Sequence, residues 1–384
     1  MAIRRTSESL RDRIAELIAP LHQTERLPLG FRLVEWETEQ GVTLRFEGPD
    51  AHLLVELEAA DPSRPCYART QRFNIYYALL DGRDGNLGRD EHALLQTVVS
   101  IVRDAEGRLP IAPDAPHDAR RIDVREIEVS RALITEGAGR YYLNPYVGCM
   151  LGCPFCYAIH RADFSRSLAG QPRMDWGRWV DVKVNLPDIL REEVARLAPG
   201  MVRMSPIVTD PYQPLEKRYR ITRGCLSVLR DSGFTPVILT RASLVLDDLA
   251  ILKACRDVVV GMSIPTDDDS VRAAFEPKTE PIEARLSTLE TLRREGIRTF
   301  AIVQPMLPMQ PARLVDLLAP HIQAVRIGPL FEKERAAPIH RRLGRAEALD
   351  ERWETATFVA LKEGFEKRGV LVNPEGEPWA SFLR

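Results

Sequence analysis

Asn144-Pro145-Tyr146-Val147-Gly148-Cys149-Met150-Leu151-Gly152-Cys153-Pro154-Phe155-Cys156-Tyr157 is the stretch that decides what this chain is. Of the cysteines Cys66, Cys149, Cys153, Cys156, Cys225 and Cys255, three fall here with the spacing Cys-x3-Cys-x2-Cys, and the rest are scattered. That is the spacing of metal ligands, not of a disulfide framework. Gly148, Gly152 and Pro154 suit a loop that folds tightly around an inorganic core and presents three thiolates to one side. Four-iron clusters are normally held by four cysteines, so three in one loop leave one iron without a protein ligand. Zinc is the alternative, because His160 follows Cys156 by four and would complete a tetrahedral set. Zinc explains neither the place of the loop at a strand end nor the motifs downstream.

Working outward, the chain beyond the loop alternates strand and helix. Strands are expected at 139–143, 201–208, 236–240, 258–264, 298–304 and 324–327, with helices at 186–197, 221–231, 247–255, 283–295 and 312–318 between them. Six β/α steps predict a parallel sheet curled into a barrel or part of one, with its chemistry at the carboxyl ends of the strands. A last helix over 351–368 is expected to cover the barrel with its apolar face.

The front of the chain reads differently. Leu10, Ile14, Leu17 and Ile18 give a helical spacing that ends before Pro20. Alternating stretches at 31–36, 42–46, 52–57 and 73–80 predict a small antiparallel meander. From Asp90, Leu94, Leu95, Val98, Val99, Ile101 and Val102 form a helical stripe that stops at Gly107. Pro110, Pro113 and Pro116 mark an extended linker, so the expected domains are 1–115, 116–335 and 336–384.

With 384 residues, 45% of them hydrophobic, the chain can bury a large core, which excludes disorder or a small disulfide scaffold as its description. No run approaches the roughly 18 apolar residues of a membrane helix, so a soluble, cytoplasmic protein with no membrane partner is expected. Residues 1–120 carry 15 Lys and Arg against 20 Asp and Glu, a poor clamp for a phosphate backbone. The 46 arginines outnumber 7 lysines but are spread along the whole chain, as base composition alone would produce.

At the cysteine loop the sequence resembles the radical S-adenosylmethionine (SAM) superfamily, whose hallmark is Cys-x3-Cys-x2-Cys with an aromatic residue, here Phe155, before the last cysteine. Asn144-Pro145-Tyr146, Val182-Lys183-Val184-Asn185, Thr209-Asp210-Pro211-Tyr212-Gln213-Pro214 with Glu216, Thr222-Arg223, Thr240-Arg241 and Glu276-Pro277 with Arg285 look like its spore photoproduct lyase-like branch. The resemblance covers about residues 120–310. It implies an α/β fold, a partial (β/α)6 barrel behind a small α+β N-terminal domain. It also implies a [4Fe-4S] cluster on Cys149, Cys153 and Cys156, with SAM on the open iron, cleaved by one electron to a 5′-deoxyadenosyl radical that abstracts hydrogen from a substrate. Tyr157 and Ala158 would lie against the adenine. Thr209 and Asp210 would meet the ammonium or ribose, Arg241 the carboxylate, and Ser263 the ribose hydroxyls. Thr-Asp-Pro-Tyr is also a turn sequence in its own right, and Glu276 with Arg285 reads equally as a structural ion pair.

One departure bears on the reaction. A spore photoproduct lyase keeps a hydrogen-donor cysteine shortly after its cluster, whereas this chain has none between Cys156 and Cys225, and Cys225 falls in a predicted helix. That argues against repair of thymine dimers. The expectation is a single-cluster radical SAM enzyme of lyase or oxidoreductase type. Its substrate is a small molecule, peptide or nucleic acid, and its electrons come from a donor such as flavodoxin or ferredoxin. DNA photoproduct repair, a peptide- or protein-modifying maturase and a non-catalytic zinc module are the alternatives. The front domain would hold substrate, shield the barrel mouth or form a homodimer.

Overall fold

The computed structural model describes residues 5–6, 14–28, 30–37, 42–59, 66–70, 73–80, 87–106, 122–137, 139–168, 171, 174–204 and 208–373. Leu10 and the proline-rich linker lie outside them. The described residues divide into two compact units, one within 3–121 and 158–175, the other within 122–157 and 176–384. The expected boundary near 115 does not foresee that the helix directly after the cysteines is grouped with the front unit.

The larger unit is built on one eight-stranded sheet. Its order is Ile134–Gly137, Arg140–Tyr142, Met201–Met204, Thr235–Thr240, Val259–Ser263, Arg298–Val303, Ala324–Ile327 and Leu371–Asn373. From Arg140–Tyr142 onward every neighbouring pair is parallel, so the six predicted strands stand side by side in chain order. Ile134–Gly137 adds an antiparallel edge, and Leu371–Asn373 a further parallel strand. Helices return the chain between strands, among them Leu186–Val194, Ile221–Asp231, Ile282–Arg294 and Pro311–Leu318, all near their predicted positions. Their buried faces fit the 3.6-residue period, as Ile221, Cys225, Leu226, Val228 and Leu229 show. The six-step order is that of a β/α barrel domain, and it brings all six strand carboxyl ends to one edge.

A second, smaller sheet supports the cysteine loop. Asp123–Glu128 pairs parallel with Trp179–Lys183, which pairs antiparallel with Tyr146–Val147. All five residues of Trp179–Lys183 are buried, so the strand lacks the alternation that would betray it in sequence. The predicted last helix is Glu351–Lys367. Its Leu361 and Phe365 share one core with Met262, Ala301, Val303, Val325 and Ile327 of the sheet.

The front unit contains the predicted meander, in the order Arg32–Glu37, Val42–Glu47, His52–Ala59, Phe73–Leu79 and a short edge strand Ala68–Arg69, antiparallel throughout. Leu44, Phe46, Leu53, Val55, Leu57, Phe73 and Ile75 form one core with Ile14, Leu17 and Ile18 and with the stripe of the helix Arg89–Glu106. The helix Ala158–Leu168 is held to this sheet by charge. Arg161 pairs with Glu56 at 3.0 Å and with Glu58 at 2.5 Å.

Phe365 is fully buried where the last helix meets the sheet. Phe365→Ala is expected to destabilise the larger unit by about 3–5 kcal/mol through lost burial and the cavity left behind, read as a lower urea midpoint in far-UV circular dichroism.

Candidate functional site

The cysteine loop starts where the first strand of the parallel sheet ends. Tyr146 and Val147 pair with Val182 and Asp181, and the chain then turns at Gly148, whose φ is +84°. A Cβ there would stand 2.6 Å from the Trp179 carbonyl oxygen, so both conformation and space demand glycine. Gly152, at φ +61°, lies against Gly177, and a Cβ on it would be 3.1 Å from the Gly177 Cα. The glycines flanking Cys149 and following Leu151 thus let the loop lie directly on the neighbouring segment 176–179.

Cys149 and Cys153 are buried and Cys156 is half-buried, none in a disulfide. They share an apolar pocket with Leu151, Phe155, Val271, Phe275, Leu307 and Leu330. Burial pushes the Cys149 thiol up to about 12; the negative charge of Asp210 adds to this, while backbone N–H groups of Asp210 and Leu151 that bond the sulfur pull it back. Burial raises the Cys153 thiol well above its ordinary value, opposed by Arg241 and reinforced by Glu276 and the other two cysteines. Thiols in such a pocket become thiolates when a metal displaces the proton. Among the described residues, no three His, Cys, Asp or Glu side chains stand together in a way that would grip one metal ion, and the His160 side chain lies outside those residues. Soft sulfur donors in one dry pocket, with N–H groups on a sulfur, fit an iron–sulfur cluster in which each thiolate binds a different iron.

The remaining motif residues form a network along the strand carboxyl ends. The Thr209 hydroxyl donates to the Gly148 carbonyl at 2.7 Å and accepts from Gln213 Nε2 at 2.8 Å. Gln213 Oε1 accepts from the Met150 N–H at 2.9 Å, so the Thr209–Gln213 turn grips the cysteine loop from two sides. Asp210 Oδ1 accepts from the Tyr212 N–H at 2.9 Å and from the Thr240 hydroxyl at 2.6 Å, and Oδ2 from the Arg241 N–H at 2.9 Å. It ties the second strand end to the third. Glu216 accepts from the Tyr146 hydroxyl and from the N–H groups of Thr222 and Arg223, both at 3.0 Å, and so links the strand entering the loop to the start of the helix Ile221–Asp231. Asn185 exchanges two 2.8 Å hydrogen bonds with the backbone of Val129.

Arg241 does not stand free. Its Nε donates to Glu276 Oε1 at 2.6 Å, and Arg285 Nη2 lies 2.7 Å from Glu276 Oε2. Arg285 Nη1 donates to the Ser263 carbonyl at 2.7 Å. Glu276 and Arg285 are fully buried. Burial alone would raise the Glu276 carboxyl, but the two guanidiniums hold it below its ordinary 4.5.

Of the residues expected to contact SAM, Thr209, Asp210 and Arg241 therefore have partners within the protein. Tyr157 is exposed directly after the last cysteine, and Ala158 opens the helix grouped with the front unit. The Ser263 hydroxyl is buried at the end of the fourth strand with no hydrogen-bond partner among the described residues, an orphan that a cofactor hydroxyl would satisfy. Asn144 Nδ2, at the start of the loop, is orphaned in the same way. Lys278 was not expected here. Its Nζ donates to the Gly177 carbonyl at 3.1 Å beside the Gly152 turn, and the only sequence signal for it is its place two residues after Glu276.

Residues 143–318 match the sequence model of the radical SAM superfamily. An uncharacterised protein of Methanocaldococcus jannaschii is 33% identical over 169 residues, 44% of this chain and 61% of that protein. An uncharacterised protein of Mycobacterium tuberculosis is 31% identical over 175 residues, 44% of this chain and 50% of its own length. A radical SAM Nalpha-GlyT isomerase of Pseudomonas phage M6 is 25% identical over 179 residues, 47% of this chain and 34% of that protein. The matched part of the chain thus spans from a third to three fifths of these relatives. Among solved structures, a spore photoproduct lyase variant aligns with a TM-score of 0.48 at 14% identity, over 65% of this chain and 81% of that one. SuiB of Streptococcus suis bound to its precursor peptide aligns with a TM-score of 0.40 at 12% identity, over 81% of this chain and 58% of that one.

Glu276→Gln would leave two buried guanidiniums without their counter-charge. It is expected to lower stability by about 3–5 kcal/mol, read by thermal unfolding at pH 7. In the unsubstituted protein the depressed Glu276 carboxyl contributes stability that is present above pH 4.5 and lost as the pH falls further. Gly148→Ala should strain the loop by about 1–3 kcal/mol and reduce the iron held after anaerobic reconstitution.

Proposed function

We propose that this chain, whose residues 143–318 match the radical SAM sequence model, is an enzyme that uses one [4Fe-4S] cluster and SAM to abstract hydrogen from an unactivated carbon of its substrate. The observation that carries the reading is the trio of buried Cys149 and Cys153 with half-buried Cys156 at the carboxyl edge of a parallel β/α sheet. When bound, the cluster supplies one electron that cleaves SAM to a carbon-centred radical, chemistry that no side chain provides.

The chain's own residues do the rest. Cys149, Cys153 and Cys156 would hold the cluster by three irons. The backbone of Leu151 and Asp210 favours the Cys149 thiolate. Thr209 and Gln213 fix the loop's backbone, so that the three sulfurs keep one arrangement. Leu307, Leu330 and Phe275 keep water from the pocket, which protects a reactive species from quenching. Ser263 would receive a ribose hydroxyl of SAM, and Tyr157 would lie along the adenine. Asp210 and Arg241 act by ordering the strand ends around them, and Arg241, beside Cys153, keeps that end of the pocket electrically matched to Glu276.

Cys225 is fully buried within its helix, and burial raises its thiol further from ionisation. It stands as core and not as a hydrogen donor to substrate, which favours a reaction other than thymine-dimer repair.

Anaerobic reconstitution is expected to give about four irons and four sulfides per chain, and dithionite with SAM to release 5′-deoxyadenosine. Cys153→Ala should abolish that release. A variant that still released the nucleoside, or a wild-type protein that took up zinc in place of iron and sulfide, would contradict the proposal.

A further inference from the structure

Lys278 lies where two glycine turns meet. Its Nζ donates to the Gly177 carbonyl at 3.1 Å. A Cβ on Gly177 would stand 2.7 Å from the Gly152 Cα and 3.3 Å from that Nζ, and a Cβ on Gly152 would stand 3.6 Å from the same nitrogen. The ammonium therefore closes the contact between the cysteine loop and segment 176–179, at a point where both backbones are bare. Gly152 directly precedes Cys153, and negative charge on Cys149 and Cys153 would favour the protonated lysine.

The neighbouring charges leave this one distinct. Arg241, which faces Cys153, is matched by Glu276 at 2.6 Å, and Glu276 in turn by Arg285. The Asp210 carboxylate acts on Cys149 but is held by two N–H groups and a hydroxyl. Arg178 acts on Lys278 as a second cation; burial first, and then Arg178, hold the lysine below its ordinary value, while the cysteines draw it back up. Among the described residues no carboxylate pairs with Lys278, whose hydrogen bond goes to a neutral carbonyl. Lys278 is exposed, yet its ammonium stands at Gly152, the residue before Cys153, and an unmatched cation there stabilises negative charge gathered on the loop, to the degree that solvent leaves the charge unscreened.

We propose that Lys278 is the charge-compensating residue of the cluster pocket, fastening the Gly152 turn to Gly177 and favouring the reduced state of the bound cluster. This rests on the function proposed above. Lys278 is a positioning residue acting through Cys149 and Cys153, and the quantity it sets is the reduction potential, which hydrogen bonds and charge around cluster sulfurs govern.

The test is an electron paramagnetic resonance redox titration of the full-length protein, reconstituted anaerobically, for wild type, Lys278→Gln and Lys278→Arg, with iron and sulfide measured first. At equal cluster content the Gln variant should have a midpoint more negative than wild type, and the Arg variant should restore it. A Gln variant with the wild-type midpoint overturns the inference. Should the Gln variant fail to hold iron, the Arg variant decides: a wild-type midpoint supports compensation by charge, and a midpoint displaced to the negative side overturns it. A wild-type protein that takes up no iron is a different failure, because it removes the proposed function itself.

Discussion

Two buried thiols and a half-buried third in one apolar cluster cannot ionise together without a cation shared among them, and the carboxyl edge of the large sheet is organised around that constraint. The Cys149 and Cys153 sulfurs left to themselves stay protonated, because a bare thiolate in such surroundings is strongly disfavoured. A metal core resolves the conflict by taking the place of the protons. The loop carries the geometry for it: glycines at 148 and 152 let the backbone press against Trp179 and Gly177, and Cys149 and Cys153 share one apolar cluster with Leu151 and Phe155.

Around the loop, polar side chains act as fasteners between strand ends. Thr209, Asp210, Gln213, Glu216 and Thr240 are all buried, and each has a partner on another element. The buried Arg241–Glu276–Arg285 chain extends the same scheme to the fourth strand through the Ser263 carbonyl. A satisfied network of this kind fixes one arrangement, since breaking any link strands a polar group away from water. Rigidity is what a pocket intended for a reactive species requires.

The order of the large sheet was legible because alternating strand and helix with short connections admits few topologies, and the six strands stand where their apolar runs predicted. The cysteine spacing was legible because three soft ligands in eight residues have few other uses. Other features were hidden for identifiable reasons. Trp179–Lys183 is buried on both faces yet includes Asp181 and Lys183, so neither alternation nor a continuous apolar run marks it. The helix Ala158–Leu168 is tied to the front sheet through Arg161 and two glutamates, a contact that leaves no apolar stripe to read. Thr209 and Asp210 show the limit of motif reading for a site: a hydroxyl and a carboxylate at a strand end serve equally as cofactor contacts or as braces, and only coordinates reveal the Gly148 carbonyl and the Arg241 N–H as their partners. Lys278 carried no signal beyond its neighbours, since a lone lysine in a loop is ordinarily a solvated one.

The central claim is that the polypeptide grips three irons of a four-iron core and leaves the last one open to SAM. Mössbauer spectroscopy of protein reconstituted with 57Fe, recorded with and without SAM, addresses it most directly. The account predicts one iron site distinguishable from the others whose spectrum changes when SAM is added. Irons that remain equivalent and indifferent to SAM would contradict it.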